Sequence, residues 1–210
     1  MAHANTAVPE SGAIEVRGFT RGAFILRGAL AVGAVYGAGT IGPFVKQAVA
    51  QDAESSGDVE ILNFALTLEY VEAEFYRQAL ELDLSSGVMA LAQTLGTHER
   101  DHIAALKETI DVVGGTPTDE PQVSFPIRDE RSFLELAQTL EETGVSAYNG
   151  AAPNIESREV LAAAGQIVQI EARHAADIRT ARALPPAPKA FDDSLEMDQV
   201  LEAVQPFTKS

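Results

Sequence analysis

Apolar residues recur at steps of three and four along four separate stretches of the chain, which is the repeat of amphipathic helices. In the first stretch, about 58–84, the stripe is Leu62, Ala65, Glu69, Ala73, Tyr76 and Leu80. In the second, about 86–113, it is Val88, Leu91, Leu95, Glu99, His102, Leu106 and Val113, and Gly114-Gly115 stops the run. The third, about 132–150, aligns Phe133, Ala137, Glu141, Val145 and Tyr148. The fourth, about 157–183, aligns Val160, Ala164, Ile167, Glu171, His174 and Ile178. Between the second and third, Pro117, Pro121 and Pro126 interrupt a stretch with no helical period, so it reads as a long connection. The pattern predicts an all-α, four-helix bundle made of two helical hairpins, with a long crossover between helices 2 and 3. After Leu184, Pro185-Pro186-Ala187-Pro188 reads as a stiff linker within a carboxyl-terminal extension over 185–210. The extension ends in an apolar stretch, about 195–204, expected to pack as a short extra helix.

Each stripe carries acidic residues where apolar ones are expected, and their spacing is regular. Glu69 precedes Glu99-x-x-His102 by 30 residues, and Glu141 precedes Glu171-x-x-His174 by the same 30. On a helix, positions i and i+3 are about 60° apart, so each Glu-x-x-His pair points one way. Four buried carboxylates would repel one another, and burial without a partner costs several kcal/mol. Two divalent cations would neutralise them, with one neutral imidazole apiece. Glu69, Glu99, His102, Glu141, Glu171 and His174 are therefore the candidate ligands of two metal ions. Oxygen-rich ligation with single imidazoles suits two Fe or two Mn ions.

Neighbouring residues compete for these roles or support them. Glu72 lies one turn from Glu69 and could share its face, but only Glu69 keeps the 30-residue spacing. Glu142 falls on the polar line Gln138, Glu142, Asn149 and reads as a solvated residue. His98 points about 100° from Glu99, to the surface or behind a ligand. Tyr76 and Tyr148 follow the glutamates by seven residues in both halves, either as core packing or as hydroxyl donors lining the site.

Composition narrows the partners. The chain of 210 residues has no cysteine, which excludes disulfides, zinc–thiolate sites and iron–sulfur clusters. Its net charge is −16. The first 50 residues hold Arg17, Arg21, Arg27 and Lys46 against Glu10 and Glu15, which leaves 11 basic and 29 acidic residues beyond them. A body so acidic is a poor partner for nucleic acid or anionic lipid and a good one for cations.

The amino end is of another kind. A basic stretch over 17–27 precedes an uncharged, Gly-rich one over 28–45, and Ala48-Val49-Ala50 supplies a small-x-small cleavage pattern. This order is that of an export signal over 1–50. Thr20-Arg21-Gly22-Ala23-Phe24-Ile25 is similar to a twin-arginine signal, but Gly22 stands at the second arginine and leaves the export route open. The competing reading is a retained anchor, for which 18 residues broken by Gly33, Gly37, Gly39, Gly42 and Pro43 are marginal. Either reading places the folded part, over 51–184, outside the cytoplasm, in a periplasmic or extracellular compartment. Membrane attachment is confined to this segment.

With these residues in view, the chain resembles the ferritin-like superfamily, and more closely the exported bacterial ferritin-like proteins labelled desiccation-related. The resemblance rests on LNFALTLEYVEAEFYRQAL, THERDHIAAL, LEETGVSAYNGAAP and IEARHAADI, and covers about 58–184. It implies the same six ligands. It also implies a choice of activities: iron storage or oxidation, peroxide reduction, manganese-dependent dismutation, or oxygenation of organic substrates. Rubrerythrin-type peroxidases use a further cysteine-bound iron, which this chain cannot make. Two readings follow. In the first, two metals act on O2 or peroxide as a ferroxidase, peroxidase or catalase. In the second, the metals staple a non-enzymatic stress-protective protein. The sequence leaves homo-oligomer assembly open.

Overall fold

The computed structural model describes residues 56–208, and the expected signal or anchor over 1–50 lies outside them. Four long helices form the body: α1 (Ser56–Ala79), α2 (Ser86–Val112), α3 (Glu130–Ala151) and α4 (Arg158–Ala181). A short α5 (Met197–Val204) follows, with single 3-10 turns after α3 and after α5. Two helix boundaries differ from the periodicity. α1 stops at Ala79, and Leu80, expected on the buried stripe, lies beyond it in the turn and is exposed. α3 starts earlier than Ser132, because Asp129 is its cap. The Ser132 amide donates to Asp129 Oδ1 at 2.8 Å while the Asp129 amide donates to Ser132 Oγ. Ser157 caps α4 by a single bond, its hydroxyl accepting from the Val160 amide.

Packing fixes the helix directions. One apolar cluster joins Phe75 and Ala79 at the end of α1, Val88 and Ala92 at the start of α2, Phe133 at the start of α3, and Ile178 near the end of α4. A second joins Leu62 and Leu66 near the start of α1, Leu106 and Ile110 late in α2, Tyr148 late in α3, and Val160 early in α4. Hence α1 and α4 run one way, α2 and α3 the other. The connection from α2 to α3 must then travel the full length of the bundle, as the sequence pattern predicts.

That crossover is gripped at both ends by carboxamides of α1. Asn63 donates to the Thr116 carbonyl at 3.1 Å and accepts from the Thr118 amide at 2.7 Å. Gln78 donates to the Val123 carbonyl and accepts from the Phe125 amide. Each side chain thus satisfies one donor and one acceptor of a segment without helical bonds of its own. At the starts of α1 and α4, the fully buried Asp58 accepts from the Glu156 and Ser157 amides at 2.8 and 2.9 Å.

The extension returns as a strap. The Leu195 amide donates to the Ser146 carbonyl, and α5 packs Val200 and Val204 onto Phe64, Leu68 and Ala147. The Ser124 amide donates to the Phe207 carbonyl, and the rings of Phe207 and Phe125 are 5.3 Å apart. With α2 and α3 beside it and the crossover and strap over it, α1 is covered almost all round. Ile61, Leu62, Phe64, Ala65, Leu66, Leu68, Tyr70 and Val71 are all buried. A helix so enclosed keeps only a narrow solvent line, through Glu60 and Arg77, too narrow to set a clean stripe.

Candidate metal centre

Between the two apolar clusters the bundle interior is acidic. Glu69, Glu99, Glu141 and Glu171 have no exposed surface, and His102 and His174 are buried beside them. Glu69 comes from α1, Glu99 and His102 from α2, Glu141 from α3, and Glu171 and His174 from α4. Their donor atoms fall into two groups, Glu69, Glu99, His102, Glu171 and Glu99, Glu141, Glu171, His174, each within 4.8 Å. Glu99 and Glu171 belong to both, and their two oxygens divide between the groups. His102 Nδ1 is 3.1 Å from Glu99 Oε2 and 3.0 Å from Glu171 Oε1. His174 Nδ1 is 3.1 Å from Glu99 Oε1 and 3.6 Å from Glu171 Oε2. Glu69 completes the first group at 3.1 Å from His102, and Glu141 the second at 3.3 Å from His174.

The donors fit metal ions better than they fit one another. Glu99 Oε1, Glu141 Oε2, both Glu171 oxygens and His174 Nδ1 are buried and make no hydrogen bond despite these short separations. Such orphaned acceptors are costly unless something else satisfies them. Convergent carboxylate and imidazole lone pairs, shared by two carboxylates, are what two cations would satisfy.

The electrostatics agree. Burial, together with the Glu171 charge, pushes Glu69 up to about 8. Burial also raises Glu72 and Glu141 well above the usual carboxylate range. At Glu171 burial is outweighed by contacts with His102 and His174, which bring it down to about 2. Burial would lower His174, but Glu141, Glu171 and Glu99 push it up to about 12. His102 is raised by the same kind of surroundings, Glu69 first among them once burial is overcome. Without metal, the surrounding carboxylates thus favour protons on the imidazoles, in the place that metal charge would take.

Both tyrosines reach the cluster, and they cross between halves. Tyr148 on α3 donates to Glu69 Oε1 of α1 at 2.5 Å, and Tyr76 on α1 donates to Glu141 Oε1 of α3. Each bond leaves the other oxygen, Oε2, facing a histidine. Burial holds both phenols protonated, since it and the nearby glutamates raise their pKa values. His98 lies behind His174, with its Nδ1 2.9 Å from His174 Nε2 and the rings stacked at 5.1 Å. Glu142, on the polar line, pairs with Arg179 at 2.5 Å and keeps its side chain 39% exposed. The sequence stripe also placed Ala73 inward, whereas Glu72 is the buried residue, only 4% exposed. Room for its carboxylate comes from Gly144, where a Cβ would stand 3.1 Å from Glu72 Oε1.

A family model for the ferritin-like domain matches residues 57–184, well over half of the chain. The chain belongs to the ferritin-like family. Among curated proteins, Protein rds1 of Schizosaccharomyces pombe is 24% identical over 162 residues, which are 73% of this chain and 40% of that protein. The chain thus spans less than half of that relative's length. Two solved structures share the ferritin-like fold. One is described as ferritin-like, diiron-carboxylate proteins from Bacillus anthracis, with a TM-score of 0.55, 22% identity, and coverage of 61% of this chain and 99% of that one. The other is a conserved hypothetical protein from Mycobacterium tuberculosis, with a TM-score of 0.56, 19% identity, and coverage of 61% and 98%.

Proposed function

We propose that this is an exported protein that binds two iron or two manganese ions through Glu69, Glu99, His102, Glu141, Glu171 and His174. It would act in iron oxidation or storage, or in the removal of reactive oxygen. The observation that carries the reading is the pair of donor groups sharing Glu99 and Glu171. Two redox-active ions there would supply electron transfer to O2 or peroxide. The chain's own part is to hold them close and dry. Glu99 and Glu171 offer one oxygen to each side. Tyr76 and Tyr148 keep their protons on the hydroxyl and fix Glu141 and Glu69 through Oε1, so that Oε2 stays turned inward. The acidic exterior favours approach of cations over anions.

The deciding experiment is elemental analysis of the native protein beside an assay of Fe2+-dependent O2 and peroxide consumption. About two ions per chain with turnover is the expected result, and iron or manganese identifies the chemistry. Stoichiometric metal without turnover would sink the enzymatic part. In that case the second reading stands, a stress-protective protein stapled by metal, and one observation favours it: each donor group draws residues from both hairpins. Sizing the purified protein tests assembly into a storage cage.

A further inference from the structure

The two halves of the site are related by a constant offset of 72 residues: Glu69 to Glu141, Tyr76 to Tyr148, Glu99 to Glu171 and His102 to His174. Two site residues break the relation. The counterpart of Glu72 is Gly144, and the counterpart of His98 is Ile170. Both departures fall on the same half.

The carboxylate of Glu72 occupies the space beside Gly144, and Glu171 Oε2 lies 3.7 Å from the point where a Gly144 Cβ would stand. That oxygen is the one that faces His174. No hydrogen bond or ion pair among the described residues engages the Glu72 carboxyl group, which leaves its oxygens available as further donors beside the His174 group. His98 supports the same group from outside. If His174 donates from Nε2 to His98 Nδ1, its Nδ1 is left as a lone pair aimed at Glu99 and Glu141. The outer nitrogen of His102 has no such partner among the described residues.

Resting on the metal reading above, we infer that the two sites are unequal: the Glu99, Glu141, Glu171, His174 site, backed by Glu72 and His98, fills first, and the His102 site holds the more exchangeable ion. An added carboxylate strengthens cation binding, and loss of an imidazole's outer partner typically weakens metal binding about 10–100-fold.

The test is titration of chelator-stripped full chain with Mn2+, following the free ion by its magnetic resonance signal. Two resolved steps are expected. His98→Ala should weaken the first about 10–100-fold and Glu72→Gln about tenfold or more, with the second step little changed. Ile170→His, at the position that the 72-residue offset relates to His98, should give His102 an outer partner and tighten the second step. Helical content and unfolding temperature check that each variant is folded. Two equal ions in the wild type, or variants that weaken the second step instead, overturn the inference and leave the dimetal reading intact. No Mn2+ or Fe2+ binding by the wild type overturns both.

Discussion

Tyr148 on α3 donates its hydroxyl to Glu69 Oε1 on α1 at 2.5 Å, while the other oxygen of Glu69 faces His102. The bond joins the two hairpins and aims a ligand at once. Tyr148→Phe leaves a fully buried carboxylate oxygen without its donor, a loss of about 1–3 kcal/mol. For a domain of this size that is a fall of roughly 2–10 °C in Tm, measurable by thermal unfolding. Tyr76→Phe should behave alike through Glu141. A Tm unchanged in both variants would show that the hydroxyls do not hold the glutamates.

The chelator-stripped protein should lose stability as pH rises from about 4.5 towards 8. Glu69 has a folded pKa raised to about 8 against 4.5, so the unfolded carboxyl ionises first and the folded state keeps a proton it must later give up. His174, raised to about 12 from 6.5, acts in the same direction at higher pH, its contribution being complete below 6.5 and lost as pH climbs. Glu171 has the opposite sign, contributing above 4.5 and failing as pH falls towards 2. Metal competes with these protons, so loaded protein should keep its Tm and the gap between the two forms should widen with pH. Melting both forms between pH 5 and 9 checks the sign. A gap that narrows with pH would contradict it.

The crossover should come loose when its two grips are removed. Asn63→Ala and Gln78→Ala each delete a donor and an acceptor that serve otherwise unpaired backbone. Each should cost about 1–3 kcal/mol, and the double variant should be cut by protease within 116–128 before the helices are. Cleavage elsewhere first would show that the proline-rich path is held by its apolar contacts alone.

Gly150→Ala gives a prediction whose sign runs against helix propensity. Replacing glycine inside an exposed helix normally stabilises by about 0.5–1 kcal/mol. Here a Cβ would lie 1.9 Å from the Leu195 carbonyl oxygen, so the strap must lift away. The expected outcome is a lower Tm and faster proteolysis in 182–196. A rise in Tm would mean that the strap adjusts freely.

What was legible in the sequence follows from the range of the interactions involved. Glu99 with His102 and Glu171 with His174 are set by helix geometry alone, so an i, i+3 spacing suffices to bring each pair onto one face. The bundle and its crossover follow from four periodic stretches and the prolines between them. Glu72 was legible only as a rival of Glu69, because α1 is enclosed almost all round and its apolar residues do not define one stripe. The crossed tyrosine bonds depend on how far α1 and α3 are displaced along each other, which no local pattern encodes. The grips of Asn63 and Gln78 act on backbone of an irregular segment, whose sequence is free to vary around the contact. Asp129 displaced Ser132 as the start of α3 because both can cap, and their reciprocal bonds decide the order.

The division of donors between the hairpins has a consequence for the protein as a two-piece object. Glu69, Glu99 and His102 belong to the first hairpin, and Glu141, Glu171 and His174 to the second, yet each donor group needs both. A chain severed in the crossover would therefore yield two fragments that each carry three of the four donors of one site, one of the four of the other, and all of neither. Mixed together, they should reassemble in proportion to the cation supplied, which makes the metal content a thermostat for the union of the two halves.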